Sequence, residues 1–251
     1  MAWHLAPFRI KEHGEQALEF WLYRPEEDPR RYRYQGSDIR DWEELPPALL
    51  HALWDVHGIV PRATRDFLDL HAGSLSRDGH GLLLPASQDV GKSTLSVALM
   101  SAGFDYLSDE VGAIDPVTGK VYPFPKKVQL EPETMRFFPD LAERLDDRRG
   151  LTGRLLARFI APHDVGARMG SPVRPRWIVF LDPDRSGPPR LEPVPRAAAV
   201  ERMAENSSNL YRYGERGVIL LSRVAQDAAA FTLSGGNPIE RAELLAERLV
   251  A

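Results

Sequence analysis

The sequence predicts an α/β fold, and three stretches carry that prediction. Gly81-Leu82-Leu83-Leu84-Pro85 is a short apolar strand that runs through a loop into a helical pattern. Trp177-Ile178-Val179-Phe180-Leu181-Asp182 reads as a second buried strand, ending in an acid. A last amphipathic helix carries Ile239, Ala242, Leu245, Ala246 and Leu249 on one face. Short apolar runs interleaved with helical periodicity are what strands covered by helices require.

Composition narrows the class. The chain has 251 residues, room for one large or two small domains. Hydrophobic residues make up 43% and charged residues 27%, which places it among ordinary globular proteins. A net charge of −4 makes no general case for nucleic acid or a membrane surface as partner. The absence of cysteine excludes disulfides, thiolate metal sites and cysteine nucleophiles. The N-terminus lacks a long apolar run after a basic segment, and no run of 18 apolar residues occurs. The expectation is a soluble, cytoplasmic protein without a nucleic-acid or membrane partner.

Residues 1–62 form a small α+β segment holding Trp3, Trp21, Trp42 and Trp54. Alternation in Ala17–Tyr23 and Arg31–Tyr34 suggests strands. Pro46-Pro47 opens a helix expected to run through Trp54. The aromatics are read as a small core packed on the following domain, 63–251, rather than as a partner surface. A strand over Phe67–Ser76 then meets Asp78-Gly79, a hairpin signal. Pairing Ser76 with Leu82 would set His71 opposite Ser87, at the mouth of the next loop.

That loop is Ala86-Ser87-Gln88-Asp89-Val90-Gly91-Lys92-Ser93-Thr94. It matches the phosphate-binding pattern G-x-x-x-x-G-K-[ST], with Ala86 in place of the first glycine. Alanine strains a tight turn least among residues that carry a Cβ. Loop amides and the helix N-terminus would face an anion, Lys92 would reach terminal phosphates, and the Ser93 hydroxyl would hold Mg²⁺. Leu95, Ala98, Leu99 and Ala102 line the helix that follows, and Gly103 closes it.

Phe104–Asp115 reads as two short strands or one bent strand, with Asp109 and Glu110 adjacent in an apolar setting. A carboxylate there could serve Mg²⁺ or an attacking hydroxyl. A further strand is expected over Lys120–Phe124. From Arg144 to Arg176 there are eight arginines against three acids, and Arg148–Arg154 has the glycine spacing of a loop that could close on phosphates. Asp182, at the end of an apolar strand, rivals Asp109 for a metal. Helices near 197–204 and 218–224 and a strand over 229–233 complete the chain.

Three features together resemble HPr kinase/phosphorylase and its relatives, which share a P-loop core with phosphoenolpyruvate carboxykinase. His71 precedes Ser93 by 22 residues, the loop spans Ala86 to Ser93, and the acidic pair begins 16 residues after Ser93. The resemblance covers about residues 65–130, extends weakly to Phe231–Leu249, and places the α/β fold in the HPr kinase/phosphoenolpyruvate carboxykinase-like type. It implies an ATP- and Mg²⁺-dependent kinase with a hydroxyl acceptor. His71 would support the catalytic carboxylate, Lys92 and Ser93 would serve the phosphates, and Asp109 would act as base. Ser93, Asp109 and Glu110 would hold the metal. Glu110 stands where the family has a second Asp, and the family's downstream Pro-x-x-x-Gly-Arg-Asn stretch is missing. Shortened relatives of this kind are associated with peptide-tailoring kinases, so the acceptor is expected to be a peptide or small-molecule hydroxyl. The family's oligomers make a homo-oligomer an expectation on the same ground. Two other functions fit the residues: a nucleotide-binding regulatory or scaffold protein, and an ATPase that uses Asp182.

Overall fold

The structure is a computed structural model and describes residues 20–63, 66–145 and 158–249. The chain opens with β1 (Trp21–Tyr23), β2 (Tyr32–Gln35), β3 (Ile39–Trp42) and α1 (Leu45–Ala63). There follow β4 (Leu68–Arg77), β5 (His80–Pro85), α2 (Lys92–Ser101), β6 (Asp105–Ser108), β7 (Val111–Ile114), β8 (Val121–Tyr122) and β9 (Val128–Leu130). A 3-10 helix (Pro132–Phe137) leads to α3 (Pro139–Arg144), β10 (Arg158–Ile160), β11 (Pro175–Leu181) and β12 (Arg190–Pro193). The last elements are α4 (Arg196–Glu205), α5 (Leu210–Tyr213), α6 (Glu215–Asp227), β13 (Ala229–Ser234) and α7 (Pro238–Arg248).

Eight strands form the main sheet, in the order β12-β13-β11-β5-β4-β7-β8, with β6 also on β4. It is mixed: β5, β11 and β13 are parallel, whereas β4 is antiparallel to β5, β6 and β7. Side chains on β5 and β11 alternate between two cores, as the two-residue period of a strand demands. Leu82, Leu84, Trp177, Val179 and Leu181 face a cluster with Leu95 and Leu99 of α2 and Leu245 of α7. Leu83, Ile178 and Phe180 face the opposite cluster with Met203 of α4 and Leu221 and Val224 of α6. Helices thus cover both sheet faces, and each fully buried Leu or Phe stabilises by roughly 1.5–3 kcal/mol.

The β4–β5 hairpin closes over two residues, Asp78 and Gly79, at φ 51° and 77°. Both central residues lie in the left-handed region, the requirement of a turn whose twist matches the strands. Arg77 therefore pairs with His80 and Ser76 with Gly81. The register is one residue away from the sequence expectation, and the Ala86 amide, not that of Ser87, donates to the His71 carbonyl at 3.3 Å.

The N-terminal strands make a separate three-stranded antiparallel sheet with α1 packed against it. Tyr34 is buried there and donates to Asp55, while the His51 ring stacks near Trp42 and Tyr34. The expected aromatic core is only partly formed, since Trp21 and Trp54 are both 56% exposed. Helix α1 also runs nine residues past its expected end at Trp54, through Gly58 and Pro61. Strand β8 stops at Tyr122, short of the expected Phe124, because Pro123 has no amide hydrogen to give the ladder. Helix α2 is buried on nearly every side rather than along one stripe. Gly103 ends it at φ 92°, with its amide and that of Phe104 donating to Met100 and Leu99. Trp3 and the Arg148–Arg154 loop lie outside the described residues. Among the described residues no helix is long and apolar enough to cross a membrane.

Asp69 joins the start of β4 to the α4–α5 link. Its amide donates to Asn209 Oδ1 at 2.9 Å, and Asn209 Nδ2 donates to Asp69 Oδ2 at 3.2 Å. The residue is 3% exposed, and burial pushes its carboxyl up to about 7. A folded value above the unfolded one of 3.8 means that the fold favours the protonated acid. Its contribution to stability is complete below about pH 4 and is lost as pH rises through about 7. Asp69→Asn keeps an acceptor for Asn209 and removes the ionisation. Chemical denaturation should show a stability gain for the variant that grows from about pH 4 to about pH 8, reaching a few kcal/mol. A difference that does not change with pH would refute this account.

Candidate functional site

A cleft of about 680 Å³ opens beyond the carboxyl end of β5, against the 86–94 loop. Crevices outside the carboxyl ends of parallel strands are where such sheets commonly bind ligands, because the loops there are free to carry chemistry. His71, Lys92, Ser93, Asp109 and Glu110 all line this cleft, so the structure brings the expected site residues together. Of the other expected loop residues, Gln88, Asp89, Gly91 and Thr94 line it as well.

The loop bends at Asp89 and Gly91, with φ 62° and 92°. Ala86 is not in the left-handed region and is 5% exposed against the core, so the first glycine of the motif has no conformational role here. Gly91 caps α2 without any side-chain hydrogen bond, and no acid occupies the first turn. The first-turn amides therefore present the positive end of the helix unanswered by any carboxylate of that turn. Lys92 is 6% exposed and donates to the carbonyls of Ala86 and Ser87 at 2.8 and 2.5 Å. Burial lowers its ammonium to about 8, with Asp109 and Glu110 opposing that shift.

The acidic pair sits at an elbow. Strands β6 and β7 pair with the same edge of β4, Ser108 opposite Ser74 and Val111 opposite His71, and Asp109-Glu110 is the break between them. The buried Ser108 hydroxyl accepts from the amides of Glu110 and Val111 at 3.1 and 2.9 Å, which fixes the bend. Asp109 points inward and is 2% exposed. Its Oδ2 accepts from Ser93 Oγ at 2.8 Å. Its Oδ1 lies 3.0 Å from the Tyr106 hydroxyl and 3.5 Å from Lys126 Nζ. Tyr106 also lies 2.7 Å from the Lys126 carbonyl, so its single proton serves one of two acceptors.

Glu110 differs: its side chain is 45% exposed and meets Lys126 Nζ at 2.9 Å. Burial pushes its carboxyl up, but Lys126, His71 and Lys92 together hold it below the usual carboxylate range. Conversely, burial lowers the Lys126 ammonium while Asp109 and Glu110 more than restore it, leaving it above the usual lysine range. His71 is half-buried, and its Nε2 has no hydrogen-bond partner among the described residues. Burial first, and then Lys92, holds its imidazole below the ordinary range, which leaves a neutral ring beside the acids.

Asp182 is not part of this cleft. Its carboxylate accepts from the Asp184 amide at 2.8 Å and so caps its own loop, and the position beside Ser93 is taken by Asp109. The arginines of 144–176 that the structure describes do not line the cleft either. Arg168 pairs with Asp105 and Arg174 with Asp227.

Sequence reasoning missed Lys126, which follows Pro123-Phe124-Pro125 and has no spacing rule to mark it. It also missed that α1 supplies a wall of the cleft through Trp54 and His57. Trp54 Nε1 donates to Gln129 Oε1 at 3.0 Å across 75 residues of chain. Nothing local to Trp54 encodes that contact.

The metal expectation can be tested on the donor set. Among the described residues no group of three or more His, Cys, Asp and Glu is placed to hold a metal ion. Ser93 and Asp109 nevertheless put two hard oxygens side by side. That suits Mg²⁺, which takes one or two protein oxygens and completes its shell with water and phosphate.

With Lys126 removed, two adjacent acids would lack their cation, a loss that costs on the order of 3–5 kcal/mol for a buried pair. Lys126→Met should therefore lower the melting temperature, and Mg²⁺ should raise the variant's melting temperature more than the wild type's. Equal Mg²⁺ shifts in both proteins would show that the acids do not form a cation site. No protein-family model and no curated protein matches this chain.

Proposed function

We propose that the chain is an ATP- and Mg²⁺-dependent kinase that transfers the γ-phosphate to a hydroxyl of a peptide or a small molecule. The observation that carries this reading is the Ser93–Asp109 hydrogen bond, with Lys92 and Glu110 lining the same cleft. On this reading the loop with Lys92 would cradle phosphate and Ser93 with Asp109 would hold a cation, while Glu110 offers a second, more exposed carboxylate at the same opening. The resemblance to HPr kinase/phosphorylase supports the same reading from the order of His71, the loop and the acidic pair. In it, residues 86–94 are a P-loop.

Phosphoryl transfer depends mostly on positioning and charge neutralisation. Amides at the start of α2 would receive phosphate oxygens, and Lys92 would turn from the Ala86 and Ser87 carbonyls to the β- and γ-phosphates. Ser93 and Asp109 would hold Mg²⁺. The bound ion would neutralise charge that develops on the phosphate oxygens. The acceptor oxygen forms a bond to Pγ, the bond from Pγ to the β–γ bridging oxygen breaks, and ADP leaves with that electron pair.

The proton of the acceptor hydroxyl needs a base within reach. Asp109 is enclosed by Ser93, Tyr106 and Lys126, whereas Glu110 is nearly half exposed to the cleft. We therefore assign the base role to Glu110 and the cation-holding role to Asp109, which differs from the expectation drawn from the sequence. Lys126 holds Glu110 ionised and must release it as the acceptor enters. Neutral His71 lines the same cleft without adding a second positive charge beside Lys92.

Three variants separate the roles. Lys92→Ala should weaken Mg-ATP binding at least tenfold. Asp109→Asn should remove the Mg²⁺ dependence of nucleotide binding. Glu110→Gln should bind Mg-ATP within about twofold of wild type and lose transfer by about 10²-fold or more. Calorimetric titration and a phosphate-transfer assay against pooled hydroxyl-bearing peptides and metabolites measure these effects. Undiminished Mg-ATP binding in Lys92→Ala would remove the P-loop from the account, and full transfer in Glu110→Gln would exclude it as base.

A further inference from the structure

A second cavity, of about 370 Å³, adjoins the cleft on the other side of the loop. The two share Asp89, Gly91, Thr94 and Thr134 as a common rim. Beyond that rim they differ in chemistry. The first carries the acids, Lys126 and His71. The second is lined by Arg136, Phe137, Arg185, Asn237 and Pro238 and by neither member of the acidic pair.

The second cavity is tied directly to the loop. Arg185 Nη2 donates to the Val90 carbonyl at 3.0 Å. It lies so close over Gly91 that a Cβ there would fall 2.3 Å from it. Arg241, 2% exposed, donates to the carbonyls of Gly235, Asp182 and Asp184 at 2.6, 3.1 and 2.9 Å. That buried guanidinium fastens the loop carrying Arg185 to the turn that leads into α7. On the opposite wall the Arg136 guanidinium sits 4.9 Å from the centre of the Phe137 ring. Asn237 is committed to its helix, accepting from the amides of Ile239 and Glu240. The lining therefore offers an aromatic ring, a proline and two guanidinium planes, surfaces on which a heterocyclic base can stack. The volume falls within the range of small-molecule pockets.

We propose that this second cavity is the nucleoside site: the sugar and base of the phosphate donor lie between Arg185 and the Arg136–Phe137 wall. The proposal rests on the kinase reading above. In an in-line displacement the attacking and leaving oxygens stand on opposite sides of phosphorus. Glu110 and His71 mark the side from which the acceptor hydroxyl approaches, so the donor chain must leave the loop the other way. The cavity of about 370 Å³ that shares Gly91 and Thr94 with the proposed phosphate cradle offers that room.

The test compares Mg-ATP with inorganic tripolyphosphate, which carries the phosphates without the nucleoside. Both are titrated calorimetrically into wild type, Lys92→Ala, Arg136→Ala, Phe137→Ala and Arg185→Ala. Arg136 and Arg185 are exposed, so their variants keep the test readable should Phe137→Ala fail to fold. The expected result is that wild type binds ATP at least tenfold more tightly than tripolyphosphate. Arg136→Ala and Arg185→Ala should each reduce that ratio at least threefold, and Lys92→Ala should weaken both ligands. If both ligands bind and depend on Lys92 while the ratio is unchanged in Arg136→Ala and Arg185→Ala, the nucleoside lies elsewhere and the kinase reading survives. If neither ligand binds wild type, the phosphate cradle fails and this proposal fails with it.

Discussion

The buried carboxylate of Asp109 sets the terms for the site around it. A carboxylate at 2% exposure is tolerated only if its oxygens are paired, because an ion left alone in the interior costs several kcal/mol. Its partners come from three stretches: Ser93 at the start of α2, Tyr106 on β6 and Lys126 in the segment after β8. Each stretch must be held where its donor is useful. Strand β4 does much of this, since its one edge carries both β6 and β7 and its other edge carries β5, which delivers the loop.

Around that centre the chain separates rigidity from chemistry. Leu82–Leu84 of β5 and Trp177–Leu181 of β11 are apolar and buried between the two cores. Most polar groups of the cleft sit where strands end or break: after β5, at the β6–β7 elbow and after β8, with His71 on β4 beside them. Loops on such a scaffold can vary without loss of the core. Arg241 supplies a second internal anchor on the far side, where one buried guanidinium serves three backbone carbonyls. Its charge has no carboxylate partner in those contacts, and the carbonyl dipoles of two loops take that place. The N-terminal unit adds a wall rather than a core, because Trp54 reaches the cleft rim with most of its ring still exposed.

The reading of the acidic pair shows where sequence reasoning stops. The loop and the two acids could be identified from residue types and spacing, and the structure puts them in one cleft. Which acid faces inward could not be read, since the choice depends on the Ser108 hydroxyl that bends the chain and on the distant Lys126. The rival Asp182 looked equivalent in sequence, as an acid after an apolar strand. The structure sets it apart, since it does not line the cleft and its carboxylate accepts from the Asp184 amide.

By itself the sequence determined the pieces whose causes are local. The two-residue alternation of β5 and β11, the Asp78-Gly79 turn, the Gly103 helix stop and the amphipathic α7 all follow from sterics and hydrogen bonds within a few residues. The tertiary structure decided the β4–β5 register to the residue, the order of the sheet and the company each site residue keeps. Trp54 meets Gln129, Lys126 meets Glu110 and Arg185 meets Val90 because packing brings together helices, loops and strands that are distant in sequence. Such contacts depend on which strands pair and on the burial of two shared cores, and no local pattern in a single chain records that choice.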